Sequence, residues 1–205
     1  MGWLSFEHSP GAYRADFCVY GTVLLALGMV LWVGPLDPRL LGWWVAGAWG
    51  WTLLEYLLHR FVLHGLAPFK RWHLEHHRRP TALIAAPTLL SAAIFASVLL
   101  PAAWLLGTRP AAALGVGLLG GYLVYGLIHH AIHRPMTRHA THVGWRWLLK
   151  RRLWHGLHHR RMHLAPGHPQ SSAMEGYYGV SSVFWDRVFH TDRRITSSAY
   201  RWPRR

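Results

Sequence analysis

Thr52-Leu53-Leu54-Glu55-Tyr56-Leu57-Leu58-His59-Arg60-Phe61-Val62-Leu63-His64 closes a long apolar run on two histidines. Tyr125-Gly126-Leu127-Ile128-His129-His130-Ala131-Ile132-His133 does the same for another such run further along. Each run is long enough to cross roughly 30 Å of hydrocarbon at about 1.5 Å per residue. Two more apolar runs carry no histidine, so four candidate spans emerge: 16–34, 41–63, 83–106 and 111–133. Gly34-Pro35-Leu36-Asp37-Pro38 and Gly107-Thr108-Arg109-Pro110 are turn sequences that pair the spans into two hairpins. The second and fourth spans therefore end on the same side, each delivering histidines there.

Outside the spans, one spacing occurs twice: His73-Leu74-Glu75-His76-His77 and His155-Gly156-Leu157-His158-His159. The first copy lies in the segment 65–82, which is too polar to cross a membrane. The second lies in a basic, aromatic tail, where Leu148 to His163 reads as a helix and Pro166 to Ser172 as a loop. The expected fold is all-α and one domain over 1–205. Four transmembrane helices in two hairpins carry a cytoplasmic helical cap over the histidines. Residues 1–15 read as an amphipathic lead-in, with Trp3, Phe6 and Tyr13 at the interface.

Composition agrees with a membrane protein: 52% of residues are hydrophobic and 13 are Trp. The net charge of +14 needs its distribution read before its sign. With the N-terminus inside, all but Arg39 and Arg109 of the 22 Lys and Arg fall on the inner side. That is the positive-inside pattern, and it places both termini and the histidines in the cytoplasm. The charge is thus a topology signal and an attraction to anionic headgroups, not a nucleic-acid footprint. Cys18 is the sole cysteine and excludes an intrachain disulfide. The first span lacks a basic segment before it and a small-residue cleavage site after it, so it reads as retained.

Imidazole is the commonest metal ligand and suits iron, copper, nickel and zinc. Ten imidazoles in four groups suffice for two ions. On a helix His73, His76 and His77 share an arc of about 100°, as do His155, His158 and His159. His59 and His64 lie about 140° apart on an ideal helix. They meet one ion if the helix ends or bulges between them, and serve different ions otherwise. The helical turn to His133 favours His129 over His130. His8, His139, His142, His163 and His168 read as surface or interface residues, and His190 as structural.

A structural zinc site needs four ligands and usually recruits cysteine, so ten histidines overshoot it. Two ions with about five nitrogens each leave positions open for dioxygen, and iron is the natural choice for oxygen chemistry at an inert C–H bond. Zinc in a purified sample remains compatible with the same donors. Among only eight carboxylates, Glu55, Glu75 and Asp186 are placed to accept the second N–H of a ligating histidine. Glu75 has the alternative of a surface charge beside Arg71, Arg78 and Arg79. Trp43, Trp44, Trp51 and Phe61 are candidates for an apolar path to the histidines, or else lipid-facing aromatics. Arg78, Arg79, Arg160 and Arg161 are candidates for headgroup contacts.

These motifs resemble the fatty acid hydroxylase superfamily, which includes sterol desaturases, sphingolipid fatty acid 2-hydroxylases and carotene hydroxylases. The resemblance runs over roughly 50–195. It is carried by Glu55–His64, His73–Pro80, Tyr125–His133, Trp154–His159 and the closing Tyr178-Gly179-Val180-Ser181-Ser182-Val183-Phe184-Trp185-Asp186-Arg187-Val188-Phe189. That closing stretch points to the fatty acid hydroxylase branch. The resemblance implies two iron ions on His59, His64, His73, His76, His77, His129, His133, His155, His158 and His159. It also implies oxygen-dependent hydroxylation of a lipid acyl chain, with electrons from a separate electron-transfer protein. The short Pro80-Thr81-Ala82 departs from the 2-hydroxylase pattern, and His139 and His142 are additions to it. The alternative outcome at the same site is desaturation, or oxidation of a sterol or carotenoid. A membrane metal transporter or storage protein is more distant, because a transporter places its ligands near mid-bilayer. A lipid-binding scaffold without catalysis is equally distant.

Overall fold

The structure, a computed structural model, describes residues 6–35, 37–134, 143–161 and 176–192. Among these described residues seven α-helices follow in order: α1 (Pro10–Trp32), α2 (Arg39–Leu57), α3 (Phe69–Arg78), α4 (Thr88–Leu106), α5 (Thr108–Ile132), α6 (Val143–Arg161) and α7 (Phe184–Val188). A π-helical turn, Leu58–Leu63, continues α2 without a break. Among the described residues there is no sheet, only an isolated antiparallel bridge between Glu7 and Ile84.

Helix α5 is the centre of the bundle and packs against α1, α2 and α4. Its small residues make that possible. A Cβ on Gly117 would lie 2.1 Å from the Trp44 carbonyl, and one on Gly47 of α2 would lie 2.1 Å from the Leu114 carbonyl. The two backbones therefore touch, which is how helices associate when lipid supplies no hydrophobic drive between them. One turn along, Trp51 packs against Gly121, and Tyr20, Phe95 and Leu119 join it in a buried cluster. At Gly107 the chain reverses between α4 and α5 with φ +90, which a side chain would strain.

Hydrogen bonds fix which ends coincide. The Arg109 guanidinium donates to the carbonyls of Leu31 (3.2 Å) and Pro35 (2.6 Å), so the two turns lie together. At the opposite end Tyr13 stacks on His130, and Phe6 stacks on Trp72 of α3. The lead-in is tied down there by His8 N–H to the Leu83 carbonyl (2.9 Å) and Ala85 N–H to the Phe6 carbonyl (3.0 Å).

Several sequence boundaries move. The first helix begins at Pro10, not 16, because Ser9 Oγ caps it by accepting from Ala12 N–H at 3.2 Å, with Pro10 at the first position. The third run begins its helix at Thr88, not 83, because residues 83–85 are extended and paired with the lead-in. Thr108 to Pro110 belong to α5 and not to the turn. The tail helix starts at Val143, five residues before the expected Leu148. Three helices, α1, α4 and α5, are long and apolar enough to cross a membrane. The expected fourth span, 41–63, corresponds to α2 and its π turn, whose Arg39, Thr52 and Glu55 dilute its apolar character. His8, expected at the surface, is buried. His139, His142, His163, His168, Trp3 and the 166–172 loop lie outside the described residues.

Candidate metal centre

The π turn resolves the five-residue spacing left open by the sequence. His64 N–H bonds to the His59 carbonyl at 3.3 Å, a link between residues five apart. Such bonding brings positions i and i+5 onto one face, as an α-helix does for i and i+4. The His59 and His64 rings accordingly lie 5.2 Å apart and turn toward the same place. Single π turns occur preferentially at functional sites.

The ten histidines converge at one end of the bundle in two groups. His59, His64, His73, His77 and His158 hold their donor nitrogens within 4.8 Å of one another, and so do His76, His129, His133 and His155. His159 adjoins the second group, with Nε2 2.9 Å from His155 Nε2, while its ring stacks on His77 at 4.1 Å. His159 therefore lies at the seam between the groups. Each H-x-x-H-H segment, read from the sequence as one shared face, is split between them: His73 and His77 go one way and His76 the other, and His158 parts from His155. His130 points away, onto Tyr13. His190 is exposed, with φ 54.

The tail aims two of the rings. His59 Nδ1 lies 2.5 Å from the Tyr178 carbonyl, and His158 Nδ1 lies 2.9 Å from the Gly176 carbonyl. A carbonyl only accepts, so Nδ1 carries the proton and the Nε2 lone pair faces inward. The carboxylates expected to do this act one step back. Asp186 accepts from the N–H of Tyr178 (2.8 Å) and Gly179 (2.9 Å), and from the Thr191 hydroxyl. Glu55 accepts from the N–H of Val180 (2.5 Å) and Ser181 (2.9 Å), and from the Ser181 hydroxyl. Both hold the strand of backbone whose carbonyls hold the imidazoles. Glu75 does not join them. It pairs with Arg79 at 2.5 Å and Arg78 at 3.6 Å, and Arg79 in turn binds Glu7. The surface alternative holds for Glu75 because it projects from the opposite side of α3.

Burial lowers the basicity of these rings. It takes His64 and His76 down to about 4, with the Lys70 charge adding to the effect at His64. His73, His155, His158 and His159 are depressed further by burial and by one another. All are neutral at pH 7 and present lone pairs. Asp186 is pushed up by burial, against the pull of its hydrogen bonds. Arg79 holds the Glu75 carboxyl below its usual range.

The donor set fits a pair of cations. Both nitrogens of His76 and Nδ1 of His155 are buried without a hydrogen-bond partner, a cost that a bound ion removes for any nitrogen it takes. Paired Nε2 atoms stand 2.9 Å apart in His59–His73, 3.0 Å in His73–His77 and His133–His155, and 3.1 Å in His64–His158. Metal–nitrogen bonds of about 2.1 Å at right angles give an edge of about 3.0 Å, whereas a tetrahedron needs about 3.4 Å. Spacings of this size are those of nitrogens that can share one ion.

An apolar cavity of about 230 Å³ runs from the histidines into the bundle. His59, His73, His76 and His129 form one end, and Trp51, Ile94, Phe95 and Leu123 line its deeper part. Of the four aromatics suggested for an apolar path, only Trp51 lines it; Trp44 and Phe61 face outward. The carbonyls of Gly176 and Tyr178, and the polar side chains that α1 adds to the cavity, were not anticipated. Backbone donors leave no trace in residue identity, although Tyr178–Phe189 marked the segment.

Comparison with known proteins agrees with this architecture. A model of the family described as fatty acid hydroxylase matches residues 44–191. A dihydroceramide fatty acyl 2-hydroxylase of Arabidopsis thaliana is 32% identical over 75% of this chain and 61% of its own length. The human fatty acid 2-hydroxylase is 26% identical over 73% of this chain and 39% of its own. The chain thus spans less than two thirds of these relatives. Full-length scs7p, of which only the hydroxylase domain is visible, superposes with a TM-score of 0.71 over 91% of this chain and 67% of that one, at 22% identity, and shares the fold. The chain belongs to the fatty acid hydroxylase family.

Proposed function

We propose that this protein hydroxylates the acyl chain of a membrane lipid at a two-iron centre, using dioxygen and electrons from a separate carrier protein. The observation that carries the reading is the abutment of two imidazole clusters on an apolar cavity. His59, His64, His73, His77 and His158 would hold one ion, and His76, His129, His133, His155 and His159 the other. When bound, iron supplies oxygen activation and C–H oxidation. The chain's own residues orient the imidazoles through Gly176 and Tyr178, exclude bulk water, and lay the acyl chain along Trp51 and Phe95 toward the histidines. The relatives' names, which include 2-hydroxylases of dihydroceramide acyl chains, support the same class of reaction. The charge distribution supports insertion through α1, α2, α4 and α5 with the centre on the cytoplasmic side, and the richness in Arg, Ala and Trp supports a bacterial inner membrane.

The test is product mass from iron-loaded protein in lipid nanodiscs with dioxygen and a chemical reductant. Addition of one oxygen to an acyl chain supports hydroxylation, and loss of two hydrogens transfers the site to desaturation. Iron far below two atoms per chain, with no oxygen uptake on lipid, overturns the proposal.

A further inference from the structure

We propose that Asp16, on α1, is a specificity residue. It selects a neutral acyl lipid bearing a hydrogen-bond donor near its carbonyl, an amide N–H or a hydroxyl, over a free fatty acid. This rests on reading the cavity as the site of a lipid hydroxylase.

Asp16 is buried and lines the cavity. Its Oδ1 accepts from the Thr88 hydroxyl, and among the described residues no other donor reaches its carboxyl. Glu55, the other carboxyl on the cavity wall, has both oxygens engaged by Val180 and Ser181. A carboxyl has room for about four hydrogen bonds, and an apolar wall gives it none. A donor carried by the ligand would complete it.

The position suits the head end of an acyl lipid. Tyr13, one turn before Asp16, stacks on His130. Phe17, its neighbour, lies against Gly126, one turn before His129 and His130 (a Cβ there would meet Phe17 Cζ at 3.1 Å). Asp16 is therefore on the order of one helical pitch, about 5 Å, from the level of the histidines. A polar group held there keeps the first carbons of the acyl chain beside the metal centre, while the rest runs deeper.

Charge argues the same way. The chain has 22 Lys and Arg, yet among the described residues none lines the cavity. A free carboxylate would enter without a counter-ion, next to a carboxyl, in a low-dielectric space. Among the described residues positive charge would await it only at the metal ions, where it would occupy positions the reaction needs.

The competing role for Asp16 is structural: through Thr88 it anchors the first turn of α4. Two sets of variants separate the roles. Metal-free protein in nanodiscs is titrated with an N-palmitoyl amide, its N-methyl analogue and palmitate. The wild type should bind the N–H amide about tenfold more tightly than either. Asp16→Asn should bring palmitate to within about threefold of the amide, and Asp16→Leu should equalise the N–H and N-methyl amides. Thr88→Val, which breaks the anchor and spares the carboxyl, should keep the wild-type ratios. Wild-type ratios in Asp16→Asn would overturn the proposal, as would a Thr88→Val variant that flattens them equally. If Asp16→Leu fails to fold, Asp16→Asn carries the test. Binding without metal does not depend on turnover. Intact ratios with no lipid oxidation would therefore sink the hydroxylase reading and leave the selectivity standing.

Discussion

The two imidazole groups are built from the same residue type but are held differently. In the first, His59 and His158 are each pinned through Nδ1 to a backbone carbonyl, and Glu55 and Asp186 fix the segment that bears those carbonyls. In the second, His76 has neither nitrogen bonded and His155 Nδ1 has no partner. A small opening of about 20 Å³ also reaches His76, His129 and His133. Preorganised ligands lose little freedom on binding an ion, and loose ones lose more. The first site should therefore bind its ion more tightly, and the second should exchange with solvent.

The largest expected effect separates the groups directly. His158→Ala should lose the tightly held ion and depress turnover by more than roughly 100-fold. His133→Ala should keep one ion per chain while also losing turnover. Metal analysis after dialysis reads the difference, and equal metal loss in both variants would erase the distinction between the sites.

Next in size is the clamp. Glu55→Ala removes the acceptor that holds Val180 and Ser181, and should weaken the first ion roughly 10- to 100-fold with a smaller effect on the second. Competition against a chromogenic chelator resolves the two affinities. An equal shift in both would mean that the tail serves the centre as a whole.

A smaller effect concerns pH. In the metal-free protein, burial holds His64 and His76 at about 4, below the unfolded value of 6.5. Between those values the unfolded chain binds more protons than the folded one, so stability rises with pH and is lost as pH falls through the window. Melting of the metal-free protein should drop by at least about 4 °C from pH 7.5 to pH 5. Metal loading should reduce that drop. A flat profile would mean that these rings are solvated.

The smallest effect is expected at Glu75. Its partners Arg78 and Arg79 are solvent-exposed, and such pairs contribute little. Glu75→Gln should leave metal content and melting temperature at wild-type values. Loss of metal would return Glu75 to the centre.

These contrasts bear on what is legible in the chain before it folds. The ten histidines are legible because so many imidazoles, grouped at helical spacing where apolar runs end, suit metal ligation far better than a solvated surface. The start of α4 is not, because apolar residues 83–85 give no local sign that they pair with the lead-in. Glu55 and Asp186 stand out as scarce carboxylates. Their targets differ from the expected ones, because the imidazole N–H groups go to backbone carbonyls.

The sequence by itself determined an all-helical architecture, its apolar helices and the end at which the histidines gather. All of these follow from periodicity, length and charge, which are local or additive properties of the chain. Tertiary structure alone decided that His59 and His64 share one site, that a distant tail orients the rings, and that Asp16 faces the cavity. Those depend on a helix changing its hydrogen-bond register and on contacts between residues more than a hundred positions apart, and no local pattern encodes either.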